Sequence, residues 1–355
     1  TTEIYTLSLH DALPIFLINA LWDNMSYRVT FATRYANLLN STFRPERTAA
    51  LIAQAAAGIA PEIESHFRRW GRSFTREQWS QSVSNALVQY TASRYTVSWD
   101  HLSDHFGLGG TGLLTVRNSD SGGAGGRFTV NGLVIDVGTD GVTNRAEWTG
   151  RYFQNLGVSV QAVPDPGYVF DGWVGTAETN ATRYLAVEST PKTVVARFRL
   201  ASEPATVLSG YEQWQLVNYS EQEIIGGTAA EPGAASGRAG MSNFELYVFG
   251  MHLGDGLSDE QRYARASLSI RNTSNTLWVG YNRLNDGFTD VRYTLKVASV
   301  LQAPVIWSNA VTGVDLEGAV LTNTLDASTW FYEVKLPASP AQGARFFKLE
   351  ASQQE

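Results

Sequence analysis

The stretch Trp148–Gly175, WTGRYFQNLGVSVQAVPDPGYVFDGWVG, decides the fold class. Over Val158–Ala162 apolar and polar residues alternate, and a period of two predicts a half-buried strand. Pro166-Gly167 then supplies a turn, since proline presets φ and glycine takes the positive φ that turns need. Beyond it Tyr168 and Phe170 alternate inward with Trp173, and large aromatics let a module of fewer than about 100 residues hold a core. The same period marks strands at Leu113–Val116, Arg127–Val130 and Thr193–Phe198. Between them SDSGGAGG, Ser119–Gly126, reads as a flexible turn. It has no following helix and no GxxxxGK pattern, so it is not a phosphate cradle.

Upstream the period changes to that of a helix. After the capping residues Asp23-Asn24, the positions Tyr27, Phe31, Tyr35 and Leu38/Leu39 recur at steps of three and four, which places them on one stripe. A second helix opens at Pro45 and runs to Gly58, and a third spans Pro61–Trp70 and stops at Gly71. Thr75 and Gln78 have the spacing of a capping box ahead of Trp79, Val83, Leu87 and Tyr90. The helical pattern continues, with a break, through Trp99, Leu102 and Phe106 to Gly107. The arginines Arg68, Arg69, Arg72 and Arg76 stand among Glu62, Glu64 and Glu77, the mixture of a solvated helix face.

Downstream, Glu203-Pro204 marks a boundary. Tyr211, Trp214 and Leu216 suggest a short helix, and strands are expected at Ala266–Ile270, Leu277–Tyr281, Val291–Val297, Phe331–Leu336 and Arg345–Leu349. Asp286-Gly287 supplies a turn, and Trp278, Trp307 and Trp330 suit a β-sandwich core. The fold class expected is therefore multidomain α+β: a helical bundle segment, a small β-repeat module and a β-sandwich-like carboxy-terminal module with short helices. The boundaries fall at 16–108, 109–200 and 201–355.

Bulk composition limits the function. Of 355 residues 43% are hydrophobic, 17% charged and 12% aromatic, with 32 Gly, 10 Trp and 15 Tyr, a profile that suits β-rich extracellular modules. A net charge of −7 opposes nucleic-acid binding, which needs concentrated positive charge. The chain has no cysteine, which removes disulfides, thiolate metal sites and cysteine nucleophiles. No run of eighteen apolar residues exists, so no membrane span is expected.

Several strings carry resemblances. LINALWDNMSYRVTFATRYANLLNSTFRPERTAALI, Leu17–Ile52, with IAPEIESHFRRWG, Ile59–Gly71, and the later HFGL, His105–Leu108, resembles the last part of the CotH kinase-like domain of spore-coat and secreted bacterial proteins. The resemblance implies a bacterial kinase-type parent whose acidic metal- and nucleotide-binding motifs lie upstream; no position here matches them. The Trp148–Gly175 run with the later TVVARF, Thr193–Phe198, resembles the internalin B-repeat-like modules of surface proteins, which implies a spacer or adhesive stalk. AAEPGAASGRAGMSNFELYVFGMHLGDG, Ala229–Gly256, with VRYTLKV, Val291–Val297, and the closing FFKL, Phe346–Leu349, resembles a carboxy-terminal module of exported proteins from verrucomicrobial-type bacteria. Asn243, Glu245, Tyr247 and Gly250 keep much of that family's helix, with Glu245 out of register by about one place. Its Asp-rich loop is replaced by Glu231, Pro232, Gly233, Ser236, Gly237 and Arg238, so no calcium site is expected there. Finally, Thr1–Ile15, TTEIYTLSLHDALPI, resembles the translation of a sequencing adapter, a contaminant of assembled metagenomes. Setting it aside with its two acids, Glu3 and Asp11, moves the net charge from −7 to −5 and implies that an upstream portion, with any signal peptide, is missing.

Site candidates are few. His101 and His105 stand four residues apart beside Asp100 and Asp104, a spacing able to hold zinc on one helix face if a third ligand exists; surface or capping histidines are the simpler reading. Trp22-Asp23-Asn24 reads as a helix cap rather than a metal motif. Trp148, Tyr168 and Trp173 are core residues in the simpler reading and a sugar-stacking platform in the functional one, which buried rings cannot serve. No nucleophile elbow and no dinucleotide motif is present. The Asn-x-Ser/Thr triplets at Asn40, Asn180 and Asn272 carry no glycosylation reading in a bacterial chain. The expectation is a non-catalytic part of a secreted or cell-surface protein with no cofactor, no metal and no catalytic residue. Its partner would be a surface glycan or a protein, and the alternative is a carbohydrate-binding or adhesive module.

Overall fold

In the computed structural model, residues 17–71, 75–274, 276–299, 301, 305–310, 316–337 and 345–354 are described. The adapter-like segment 1–15 lies outside them. The chain is a multidomain α+β protein with helices concentrated toward the amino terminus and several sheets after them. It divides into two compact units, residues 1–174 with 178–205, and 175–177 with 206–355.

The first unit begins with helices α1 (Met25–Leu39), α2 (Pro45–Ile59), α3 (Ile63–Arg69), α4 (Arg76–Asn85) and α5 (Thr91–Phe106). Asn24 caps α1 by accepting from the Tyr27 N–H at 3.1 Å. Pro45 sits at the first turn of α2, and Thr75 and Gln78 form the reciprocal capping box of α4. A π-helical segment, Ala86–Tyr90, joins α4 to α5. Strands β1 (Thr111–Asn118), β2 (Gly126–Val130), β3 (Leu133–Ile135), β4 (Glu147–Phe153), β5 (Val158–Pro164), β6 (Tyr168–Trp173), β7 (Thr182–Leu185) and β8 (Lys192–Leu200) follow. They form two sheets ordered β4-β1-β8-β6 and β3-β2-β5-β7. β1 and β8 run parallel and the other pairs antiparallel.

One hydrophobic cluster joins α1 and α5 to both sheets of this unit. Ala32, Ala36 and Leu39 of α1 and Trp99 and Leu102 of α5 share it with Leu114, Phe128, Phe153, Val160, Trp173 and Val194 of the strands. The Trp99 ring meets the Phe153 ring at 5.2 Å. Helices α2 and α4, by contrast, bury no residue among those described.

The second unit holds α6 (Gly210–Asn218), α7 (Glu221–Gly226), the hairpin β9 (Ala235–Arg238) with β10 (Met241–Ser242), α8 (Asn243–Val248) and α9 (Asp259–Ala266). Each of the four helices opens with a serine capping box: Ser209 with Glu212, Ser220 with Glu223, Ser242 with Glu245, and Ser258 with Gln261. Strands β11 (Ser269–Thr273), β12 (Thr276–Leu284), β13 (Val291–Ala298), β14 (Ser308–Asn309), β15 (Gly318–Thr324), β16 (Thr329–Lys335) and β17 (Phe346–Gln353) form sheets ordered β11-β12-β16-β15 and β14-β13-β17. Val279 and Val334 of the first sheet share a core with Leu295, Phe347 and Leu349 of the second. The helices gather around Tyr211, Trp214, Leu246, Tyr247 and Met251.

Two sequence expectations change here. Trp278, Trp307 and Trp330 are half-buried and absent from the core cluster that the two sheets share, which valines, leucines, Tyr281 and Phe347 form. Residues up to Ala266 are helical, so the strand expected at Ala266–Ile270 starts at Ser269; the Ser258 capping box commits that segment to a helix first. Gly250 shows why the α8 turn needs glycine. Its φ is +63°, and a Cβ would collide with the Thr329 hydroxyl and lie 3.2 Å from an Arg265 guanidinium nitrogen. Gly250→Ala is therefore expected to cost about 2 kcal/mol or more, read as a lowered urea midpoint without a change in slope.

Candidate functional site

Of the aromatic residues singled out from the sequence, Trp148 and Trp173 are core residues. Trp173 is 0% exposed. Its ring packs on Phe170 at 5.3 Å and Phe128 at 6.4 Å, and its Nε1–H donates to the Asn180 carbonyl at 2.8 Å. Trp148 is 5% exposed, with Tyr152 at 6.5 Å and the Arg44 guanidinium 5.8 Å from its ring centre. Tyr168 is half-buried, its ring close against Gly125, where a Cβ would sit 2.9 Å from it. The buried Trp148 and Trp173 rings offer no platform to a sugar, whereas Tyr168 keeps part of its surface open.

The histidine pair belongs to a different setting. His101 and His105 both lie exposed on α5, beside a cleft of about 600 Å³ lined also by Trp22, Phe31, Tyr35, Arg94 and Phe106. The His105 ring meets Phe106 edge-on at 4.7 Å and Trp22 at 5.6 Å. Among the described residues no three His, Cys, Asp or Glu side chains converge as a metal site would require. The cleft's lining is mixed, with the aromatic rings of Trp22, Phe31, Tyr35 and Phe106 beside the buried Ser98 and the exposed Arg94 and Asp104.

In the second unit the residues resembling a family helix each hold the fold. Asn243 is fully buried; its Nδ2 donates to the Ala229 and Glu231 carbonyls at 2.8 and 2.9 Å, and its Oδ1 accepts from the Tyr219 hydroxyl at 2.6 Å. Glu245 closes the Ser242 box. Tyr247 donates its hydroxyl to Asp290 at 2.7 Å, and burial, then this bond to a carboxylate, pushes its pKa far up. Asp290 also accepts from the Tyr211 N–H at 2.9 Å, so one carboxylate, missed in the sequence because it lies 79 residues away, secures the first turn of α6. The loop that replaces the Asp-rich stretch is the β9–β10 hairpin, where the Ser236 hydroxyl donates to the Met241 carbonyl at 2.7 Å.

The most constrained polar cluster surrounds Arg262. This side chain is 1% exposed, pairs with Asp255, and donates to the His252 carbonyl at 3.2 Å. His252 stacks on Trp214 at 6.4 Å, and its Nδ1 lies 3.1 Å from the Asn218 amide nitrogen. That amide nitrogen can only donate, so the imidazole accepts there and is neutral. Burial, opposed in part by Asp255 and reinforced by Arg265, lowers its pKa below the ordinary 6.5. The folded chain thus binds this proton less readily than the unfolded chain. Stability contributed by neutral His252 is full above pH 6.5 and is lost progressively as the pH falls below it. Urea midpoints of the second unit at about pH 7.5 and about pH 5.5 should show this fall, and His252→Gln should flatten it; an unchanged slope would refute the assignment.

Comparison with known proteins follows this division only in the first unit. Residues 11–97 match the family model described as CotH kinase protein, and residues 123–202 match the divergent InlB B-repeat domain. No curated protein and no solved structure gives a significant match.

Proposed function

We propose that the chain is a carboxy-terminal, non-catalytic portion of a secreted or cell-surface CotH kinase-like protein, serving architecture and protein interaction. The single observation that carries this reading is the state of the helical segment. α2 and α4 bury nothing among the described residues, yet Leu51, Ile59, Trp70 and Tyr90 along this region are 46%, 53%, 62% and 63% exposed. Exposed apolar side chains of this kind suit contact with another protein surface, and the rest of a CotH-type domain is the partner this reading assigns. The match of residues 11–97 to that family supports it. The repeat-type module supports an exported location, and no described helix is long and apolar enough to cross a membrane. Incubated with ATP, Mg²⁺ and a general protein substrate, the chain is expected to transfer no phosphoryl group. Turnover above the no-enzyme background would overturn the non-catalytic reading.

A further inference from the structure

β4 is an outer strand of its sheet. An outer strand turns the N–H and C=O of every second residue away from the sheet, which makes it a template for strand addition. On β4 those residues include Thr149 and Arg151. Both sit opposite β1 residues as close pairs, Thr115 with Thr149 and Leu113 with Arg151, and the two threonine hydroxyls lie 2.8 Å apart.

Three of the outward carbonyls and one outward N–H are already engaged. Asn40, at the end of α1 and 2% exposed, donates through Nδ2 to the Arg151 carbonyl at 2.6 Å and accepts from the Arg151 N–H at 2.8 Å. One side-chain amide thereby supplies both bonds that a neighbouring strand residue would make. Arg44 donates to the Thr149 carbonyl at 2.8 Å, and the Phe153 carbonyl accepts from the Leu156 N–H at 3.2 Å. Asn37 fastens the same helix end to the Asn131 carbonyl at 2.9 Å.

We infer that the carboxy-terminal turn of α1 is an edge guard that occupies the strand-addition site of β4, and that the partner it excludes is β4 of a second copy. The charge pattern selects that partner. Antiparallel self-pairing centred on Thr149 uses only outward groups and places Glu147 of each copy opposite Arg151 of the other, both on the solvent face of the strand. Opposite charges directly across an antiparallel pair are stabilising, and an isologous twofold contact closes without propagating.

The test uses the full chain. Sedimentation velocity from low to high micromolar should show wild type as a monomer and the N37A/N40A/R44A variant as a concentration-dependent dimer. In dilute solution the Arg151 amide of the variant should exchange at least about tenfold faster. Adding T149P, which removes an outward donor and leaves the β1 ladder intact, should restore the monomer, and E147K should weaken the dimer by setting like charges opposite. The proposal is overturned if the folded triple variant stays monomeric throughout, if it associates equally well with T149P, or if wild type itself pairs and T149P abolishes that pairing. Should circular dichroism show the triple variant unfolded, Asn40→Asp decides instead. It keeps the side-chain volume but faces the Arg151 carbonyl with a carboxylate; faster Arg151 exchange with association supports the guard, and a monomer overturns it.

Discussion

Alanine in place of Trp173 is expected to destabilise the first unit by about 3–5 kcal/mol, enough to unfold many domains of this size. Trp173 is on β6 of one sheet, and its ring reaches Phe128 on β2 of the other. It therefore fills space between two layers, each a sheet stiffened by its own ladder hydrogen bonds, so the cavity does not readily close by local collapse. The substitution also strips the Asn180 carbonyl of its donor and the Arg183 guanidinium of the ring 5.5 Å away. Trp148 offers the contrast. Its Nε1 is buried without a partner among the described residues, so Trp148→Phe removes a desolvated donor along with some volume and is expected to cost less than about 1.5 kcal/mol. Thermal unfolding of the two variants separates these outcomes. A Trp173→Ala chain that melts with wild type would show that the two sheets do not depend on this ring.

The features readable from sequence were those whose cause is local. Asn24, Pro45 and the Thr75–Gln78 box start helices where spacing says they should, because a cap is settled within three or four residues. Pro166-Gly167 turns the chain between β5 and β6, with Gly167 at φ +87°. Strand β15 escaped notice because the side chains around Gly318–Thr324 carry little β-alternation, and its place is set by pairing with β16. The apolar stripe of α1 was readable in part: Leu39 is buried and Phe31 and Tyr35 pack half-buried on the core, but Leu38 is 40% exposed, and the fully buried Ala32 and Ala36 lay outside the expected stripe. Periodicity reports a face and says nothing of its neighbour. Long-range polar pairing is the least accessible. Asn40 and Arg151 are 111 residues apart, and Asn40 in sequence is one more surface asparagine. The Asp255–Arg262 pair is only seven residues apart, yet an aspartate in a glycine-rich loop ahead of a charged helix gives no sign that the arginine will be buried.

That pair carries the largest effect expected in the second unit. Asp255→Ala should cost about 3–5 kcal/mol, because it leaves the Arg262 charge buried without a counter-ion. The carboxylate also accepts from the His252 and Leu257 N–H groups at 3.0 Å each, so the loop that positions the imidazole loosens as well. Arg262→Met should be milder: Asp255 keeps its two backbone donors and, with its side chain 17% exposed, can be solvated. The double variant Asp255→Ala/Arg262→Met then discriminates between causes. If the uncompensated charge dominates, the double variant is more stable than Asp255→Ala alone, and a thermodynamic cycle gives a coupling energy of about 1–3 kcal/mol. If the double variant is as unstable as Asp255→Ala, the two backbone caps hold the loop, and the ion pair is incidental to the fold of the second unit.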